Sequence, residues 1–238
     1  MDLPDDAADV NSAAGRAELG DRLRKQHRLA DAEAAYRSAI ALDPQLARAH
    51  SGLGLVLRDT RRYAEAEAAC REAVRLDPGY APAHSALGLV LMRDAERYAD
   101  AEAACREAVR LDPGYAPAHS TLGVVVTRDA KRYAEAEAAC REAIRLDSDL
   151  AAAHVNLGAV LCNTKRYADA EAARREAIRL DPGSAQAYST LGVVLRGTRR
   201  YIEAEAACRE AIRLDPDPRA SARQPRRAAA HGQAVGGG

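Results

Sequence analysis

Histidines and cysteines, which are common zinc ligands, recur in this sequence at intervals that are multiples of 34 or 35 residues. A zinc site needs three or four such ligands within about 2.3 Å of one ion. Histidines or cysteines that occur once per interval lie one structural repeat apart, so their side chains cannot meet at a single metal ion. We therefore predict packed structural histidines, buried reduced cysteines and no metal. The set comprises His50, His84, His119 and His154 with Cys70, Cys105, Cys140 and Cys208.

A recurring set of arginines could bind an acidic partner. Guanidinium groups on one rigid face can each hold a carboxylate through two parallel hydrogen bonds. They could equally be structural, because a cation near a helix C-terminus complements the helix dipole by about 0.3–1 kcal/mol, and three of them precede an aspartate. Both interpretations stay open. The arginines are Arg58, Arg93, Arg128 and Arg196, and the aspartates are Asp59, Asp94 and Asp129.

The sequence contains none of the familiar patterns for catalysis. It has no glycine-rich phosphate loop, no strand–turn–helix nucleophile and no isolated pair of acids in an apolar context. Cys162 follows His154 by eight residues, about 12 Å along a helix, which is too far for a joint site. We expect no enzymatic activity and no cofactor.

One thirteen-residue string, AEAACREAVRLDP, organises the chain. It occurs twice unchanged and four times in altered form, and a second helical pattern precedes each copy. A single unit of this length buries too little surface to fold alone, so the sequence predicts six stacked helix–turn–helix repeats. The units are 13–46, 47–80, 81–115, 116–150, 151–184 and 185–218.

The third unit illustrates the pattern. Tyr98, Ala101 and Cys105 recur at the three- and four-residue intervals of an amphipathic helix. The helix should end at Asp112, because the residue before a proline is driven out of the α region. The third and fourth units are one residue longer, and we place the excess in the turn between the helices, since turns absorb insertions.

These units resemble the tetratricopeptide repeat family over residues 13–218. The family pattern is a 34-residue helix–turn–helix with large residues, Leu-Gly, alanines and a closing proline at fixed positions. The resemblance implies an all-α fold, a right-handed superhelical solenoid of six repeats. In the third unit the pattern falls on His84, Leu87, Gly88, Leu91, Ala101, Cys105, Ala108 and Pro113.

The chain departs from the family at position 24 of the repeat, which is usually an aromatic residue in the family. The position is cysteine in four units, Tyr36 in the first and Arg174 in the fifth. Smaller side chains bury less surface between repeats. We therefore expect thin interfaces, weakest around Arg174.

The resemblance also implies a concave binding groove formed by the first helices of successive repeats. Here its floor is apolar and its edge is basic, and Asn156 alone matches the asparagine ladder of some family members. We predict a non-enzymatic protein–protein interaction scaffold that binds a peptide, acidic by preference, or a partner helix. The floor residues are Leu55, Leu89, Val124 and Val193, and the edge residues are Arg58, Arg93, Arg128 and Arg196.

Composition narrows the partners and the location. Lys and Arg number 35, as do Asp and Glu, which argues against nucleic acid as the main partner. No apolar run approaches the roughly 20 residues of a membrane span, and the first residues lack a signal peptide, so we expect a cytoplasmic protein. We predict disorder in the acidic residues 1–12 and in the basic, glycine-rich tail 219–238.

Two other functions stay open. The amino-acid sequence of the repeats is similar to that of the repeat regions of protein O-linked N-acetylglucosamine transferases. The array could therefore be the targeting part of an enzyme system whose catalytic domain is absent from this chain. Because of Pro225 and the closing glycines, we do not expect the tail after 218 to form a full amphipathic capping helix. The last repeat could therefore leave an apolar face open and self-assemble, or fray.

Overall fold

The computed structural model describes residues 11–215, which form twelve α-helices joined by short turns. The all-α repeat solenoid is thereby confirmed. Residues 1–10 and 216–238, which include most of the predicted disordered ends, lie outside the described part. The helices are α1 (Ala13–Lys25), α2 (Leu29–Leu42), α3 (Ala47–Asp59), α4 (Tyr63–Leu76), α5 (Ala81–Leu91), α6 (Tyr98–Leu111), α7 (Ala116–Val126), α8 (Tyr133–Leu146), α9 (Ala151–Asn163), α10 (Tyr167–Leu180), α11 (Ala185–Gly197) and α12 (Tyr201–Leu214).

The helices form two layers of a curved array. Each odd-numbered helix packs against the even-numbered helix that follows it and also against the next odd-numbered helix. The even-numbered helices meet mainly the odd-numbered helices on either side of them. Because the odd-numbered helices approach one another more closely, they form the inner, concave layer, and the even-numbered helices form the outer layer.

Each outer helix ends at an aspartate that shapes the junction to the next repeat. Asp77 follows α4, and its Oδ1 accepts a hydrogen bond from the Gly79 N–H at 2.9 Å. The carbonyl of Pro78 accepts a hydrogen bond from His84 Nε2 in the next inner helix, also at 2.9 Å. The recurring histidines are thus packed against the preceding junction as structural side chains. The same contact, at 2.9–3.0 Å, is made by His50, His119 and His154.

Small residues build the core between the two helices of a repeat. Cys105 is fully buried, and a side chain at Gly88 would overlap its sulfur. Burial raises the pKa of the Cys105 thiol to about 12, so it is protonated at neutral pH. Cys208 was predicted to be buried as well but is only half-buried, because no further described repeat covers α12.

In the first repeat an aromatic ring, in place of cysteine, fills the space between the two helices. Tyr36 is fully buried, and its ring occupies the space that side chains at Gly20 and Gly52 would need. Gly52 belongs to the next inner helix, so the large residue in one repeat is matched by glycine in its neighbour. The later repeats carry larger residues at the position of Gly52, namely Ala86, Thr121, Asn156 and Thr190.

The turn between inner and outer helix takes two forms, set by repeat length. In the 34-residue repeats the inner helix has 13 residues, and the turn contains a non-glycine residue with φ between 57° and 66°. This left-handed conformation brings Cβ close to the following carbonyl and costs about 1–2 kcal/mol. The four left-handed residues are His27, Arg61, Lys165 and Arg199.

The third and fourth repeats avoid the left-handed residue. Their inner helices have 11 residues, and a 3₁₀ turn follows at Ala95–Arg97 or at Ala130–Arg132. Aligning GLVLMRDAERY with GLVLRDTRRY of the second repeat places the extra residue at Met92, which is the C-cap of α5. Asp94 then caps the 3₁₀ turn, and its Oδ1 accepts the Glu96 N–H at 3.0 Å.

Arginine clamps join the repeats on the outer layer. Arg132, just before α8, donates to both carboxylate oxygens of Glu102 in the preceding outer helix at 2.8 Å, and also to Glu135. The hydrogen bond from Arg132 holds the pKa of Glu102 below its usual range. The repeated glutamates and arginines thus link neighbouring repeats. Equivalent clamps join Arg62 to Glu33, Arg97 to Glu67, Arg166 to Glu137 and Arg200 to Glu171.

Candidate peptide-binding groove

The predicted floor residues all lie on the inner helices. Each is half-buried, so part of every side chain stays accessible between neighbouring inner helices. Leu55, for example, packs against the buried cluster that contains Leu57 and Val90. The floor is therefore a row of partly exposed aliphatic groups, formed by Leu55, Leu89, Val124 and Val193.

Polar side chains beside the floor connect successive inner helices. Ser85 Oγ lies 3.4 Å from Thr121 Oγ1, and Asn156 Nδ2 donates to Ser120 Oγ at 2.9 Å and to its carbonyl at 3.2 Å. The two serines are buried. Asn156, which the family resemblance suggested as a groove residue, thus uses its amide N–H groups to bind the preceding inner helix.

Two of the predicted edge arginines are held over aromatic rings. The Arg93 guanidinium carbon lies 3.6 Å from the centroid of the Tyr63 ring, and that of Arg128 lies 4.9 Å from the centroid of Tyr98. Each tyrosine begins the outer helix of the preceding repeat. Both arginines remain exposed. A guanidinium stacked on a ring keeps its N–H edge in the plane of the group, where it can still donate to a carboxylate.

Arg58 is arranged differently. Its Nε donates to the carboxylate of the adjacent Asp59 at 2.9 Å, and both side chains are half-buried. Arg58 and Arg196 are the twelfth residues of their repeats, whereas Arg93 and Arg128 are the thirteenth and follow the shorter inner helices. The four arginines therefore do not form one uniform row, and the stacked, exposed geometry belongs to the third and fourth repeats.

The chain's own polar side chains occupy the N-terminal part of the inner layer. Tyr36 Oη donates to Asp21 Oδ1 at 2.5 Å, and Arg48 Nη2 donates to Asp21 Oδ2 at 2.6 Å. Arg48 also contacts Glu18 at 3.2 Å. Burial and the bond to Asp21 raise the pKa of the Tyr36 hydroxyl, so it stays a donor. One signal for this cluster stands in the sequence: Asp21 occupies the position where later repeats carry leucine, valine or alanine.

The array curls until its first turns meet its last repeats. His27 Nε2 lies 3.1 Å from Asp181 Oδ1, and Arg61 Nη2 lies 3.5 Å from Asp215 Oδ2. Each contact joins repeats that are four apart, the first with the fifth and the second with the sixth. The left-handed turn residues of the first two repeats thus meet the aspartates that end α10 and α12.

The described residues offer neither a metal cluster nor a membrane-spanning helix. Within residues 11–215, no group of three or more His, Cys, Asp or Glu side chains is placed to hold a metal ion. Among the helices of that same region, none combines the length and apolarity that crossing a membrane requires.

Solved structures support the repeat architecture. A chain of the APC/C hetero-tetramer Cut9–Hcn1 superposes with a TM-score of 0.70 at 18% identity, over 90% of this chain and 42% of that chain. A thermophilic TPR protein of Thermus thermophilus gives 0.64 at 22% identity over 82% and 100%. PilF of Pseudomonas aeruginosa gives 0.56 at 20% identity over 86% and 92%. At these identities the likeness shows the fold alone.

Sequence comparison assigns the family. No curated protein sequence is significantly similar to this chain. The family model described as "Tetratricopeptide repeat" matches residues 17–81, 82–116, 125–185 and 165–217. Because these matches cover most of the sequence, the chain belongs to the tetratricopeptide repeat family.

Proposed function

We propose that this chain is a non-enzymatic protein–protein interaction scaffold whose inner groove binds an extended, acidic peptide. The tetratricopeptide repeat fold supports such a role in general. The observation that carries the proposal is the pair Arg93 and Arg128, held over tyrosine rings and exposed in successive repeats. Stacking limits the freedom of a long side chain, so less entropy is lost when a carboxylate binds.

The spacing of the two arginines suggests the form of the peptide. Neighbouring packed helices lie about 10 Å apart. A peptide in the polyproline II conformation has three residues per turn and advances about 3.1 Å per residue. Side chains three residues apart then lie on one face, about 9 Å apart, and would reach successive arginines. Apolar residues between the acids would meet the half-buried Leu89 and Val124. The expected ligand therefore carries Asp or Glu at every third position, with aliphatic residues between them.

The proposal can be tested with a fluorescein-labelled peptide of this pattern by fluorescence anisotropy. The double variant Arg93→Glu, Arg128→Glu should weaken binding by at least about tenfold, because both carboxylate contacts become repulsive. Binding equal to that of the wild type would move the site elsewhere.

A matched control separates site binding from general charge. Arg75 and Arg110 are exposed on the outer helices, one repeat apart, and pair with Glu72 and Glu107 of their own helices. The double variant Arg75→Glu, Arg110→Glu makes the same change in net charge and should alter affinity by no more than about twofold. An equal loss in both variants would mean that the peptide responds to overall charge, which contradicts a groove site.

Self-association is a second candidate, favoured by one exposed side chain. Ile202 on α12 is 86% exposed, whereas alanine stands at its position in the other repeats. Tyr201 and Ile212 on the same helix are also exposed. A second copy of the chain could cover these groups. Sedimentation velocity should then report a dimer that Ile202→Ala weakens, and a monomer at all concentrations would exclude it.

The targeting alternative uses the same surface. If the array recruits substrates for a separate catalytic domain, the recruited segment would occupy the same groove as a binding partner. Loss of binding in the arginine double variant is expected under both functions. Activity of a partner enzyme toward the same acidic peptide would be the additional measurement that favours the targeting role.

A further inference from the structure

Arg174 is a buried cation in the fifth repeat, where four other repeats have cysteine. Its side chain is 2% exposed, and within residues 11–215 its Nε and Nη1 atoms have no hydrogen-bond partner. A buried N–H group without an acceptor costs free energy, and a charged one costs more. A guanidinium in this situation needs an anion beside it.

The Arg174 side chain packs against α9 at Gly158. It fills the space beside Gly158, where a Cβ atom in place of the glycine hydrogen would lie 2.7 Å from Arg174 Nε and 2.9 Å from Cδ. Cys162 is four residues further on, so it lies on the same face of α9, about 6 Å along the axis. Cys162 is half-buried and packs against the buried cluster that contains Leu161 and Val194. The helix thus brings a partly accessible thiol to the buried guanidinium.

Two thiols are close enough to act on the charge of Arg174, first Cys162 and then Cys140. Cys140 is fully buried, and burial raises its pKa to about 12, so it remains a neutral thiol. Burial lowers the pKa of Arg174 only to about 10, so the guanidinium is charged at neutral pH. The other element at this cluster, α11, contributes the apolar Val194. Cys162 is therefore the group that can supply the negative charge.

We propose that Cys162 is a reactive thiolate, paired with Arg174, and that it is a modification site for small peroxides. The sulfur attacks one oxygen of hydrogen peroxide, an S–O bond forms and the O–O bond breaks. The leaving hydroxide takes up a proton from solvent and becomes water. Cys162 is oxidised to a sulfenic acid while the peroxide is reduced. The guanidinium favours the reaction by holding the thiol in its ionised, nucleophilic form.

The test uses the full chain, treated at pH 7 with iodoacetamide or with hydrogen peroxide plus a sulfenic-acid trap, followed by peptide mass mapping. Cys208 is the internal reference, because it is also half-buried but lies in a repeat without the buried arginine. Cys162 should react at least about tenfold faster than Cys208. Equal rates at the two cysteines would overturn the proposal.

Variants of Arg174 separate the charge effect from accessibility. Arg174→Met keeps a long side chain without charge and should lower the rate of Cys162 modification by about tenfold. Arg174→Lys keeps the charge and should retain part of the reactivity of Cys162. Modification of the buried Cys140 would reveal unfolding. In that event Arg174→Cys, which restores the residue of four other repeats, gives the same comparison in a folded chain. Unchanged reactivity of Cys162 in the folded uncharged variants would contradict the pairing.

Discussion

The second and third repeats differ in length by one residue, and the difference changes what their arginines do. In the second repeat, α3 continues to Asp59, whose carboxylate accepts the Arg58 guanidinium. The cation is neutralised inside its own repeat, as the structural interpretation of the arginines supposed. Such an arginine offers little to a partner, because binding would first have to break an existing ion pair.

In the third repeat the inserted Met92 ends the inner helix two residues earlier. The following Asp94 turns its carboxylate to the 3₁₀ turn, so it is occupied as a cap. Arg93 then lies over the Tyr63 ring of the second repeat and stays exposed. One inserted residue thus separates a self-neutralised arginine from one that can bind a carboxylate. Turn length, more than the presence of arginine, is what we expect to specify the binding repeats.

Deleting Met92 should have the largest effect on this difference. The sequence GLVLRDAERY would then match GLVLRDTRRY of the second repeat, and Arg93 should pair with Asp94. We expect affinity for the acidic peptide to fall about fivefold by anisotropy, with helicity retained. The reverse change, a methionine inserted after Leu57, should raise affinity. If neither change alters binding, turn length does not control the arginines.

Single charge reversals should distinguish the two repeats more finely. Arg93→Glu should weaken peptide binding by about fivefold, whereas Arg58→Glu should change it by less than about twofold. Asp59→Ala should strengthen binding slightly, because it releases the Arg58 guanidinium. The same anisotropy titration measures all three. A loss for Arg58→Glu as large as for Arg93→Glu would remove the distinction.

A lysine in each turn type offers a matched test of the backbone difference. Lys165 has φ 64° in a 34-residue repeat, so Lys165→Gly should stabilise the fold by about 0.5–1 kcal/mol. Lys131 lies in the 3₁₀ turn of the fourth repeat, and its N–H donates to Asp129 at 2.9 Å. Lys131→Gly should destabilise by about 0.5–1 kcal/mol, since glycine gains nothing there and loses more entropy. If the urea concentration at the unfolding midpoint changes in the same direction for both variants, the assignment of two different turn conformations is contradicted.

The outer clamps should not distinguish the two turn types, and their effect should be the smallest. Arg132→Gln and Arg62→Gln each remove one clamp, and each should lower the Tm slightly and to a similar extent. The hydrogen bonds of Arg132 to Glu102 and of Arg62 to Glu33 lower the pKa of both carboxyls. The contribution is therefore complete above the unfolded glutamate pKa of about 4.3 and is lost as pH falls through the lowered folded values. A difference from wild type that persists at pH 2 would contradict the ion-pair origin.

Much of the fold could be predicted from local sequence. The succession of helices, the helix end at Asp112 and the packing of the histidines depend on contacts between adjacent segments. The two uses of arginine could not be separated, because Arg58-Asp59 and Arg93-Asp94 are the same dipeptide. Only the backbone of the turn decides whether the aspartate faces the arginine or the next N–H.

Two other features depend on relations between repeats. The contact between His27 and Asp181 results from small rotations accumulated over four repeats, which no local pattern encodes. The match between Tyr36 and Gly52 can be read from the sequence only when the two repeats are known to interdigitate there. Arg174 stands out in the sequence because four other repeats have cysteine at its position, but its proximity to Cys162 depends on how α9 and α10 pack and is not encoded along one helix.

The most direct test of the binding account is hydrogen–deuterium exchange with and without the acidic peptide. The account predicts that protection increases at the C-terminal ends of α5 and α7 and in the turns at Ala95–Arg97 and Ala130–Arg132, with little change in the outer helices. Protection confined to the outer helices or to α12 would contradict the central claim that the inner groove of the third and fourth repeats is the binding surface.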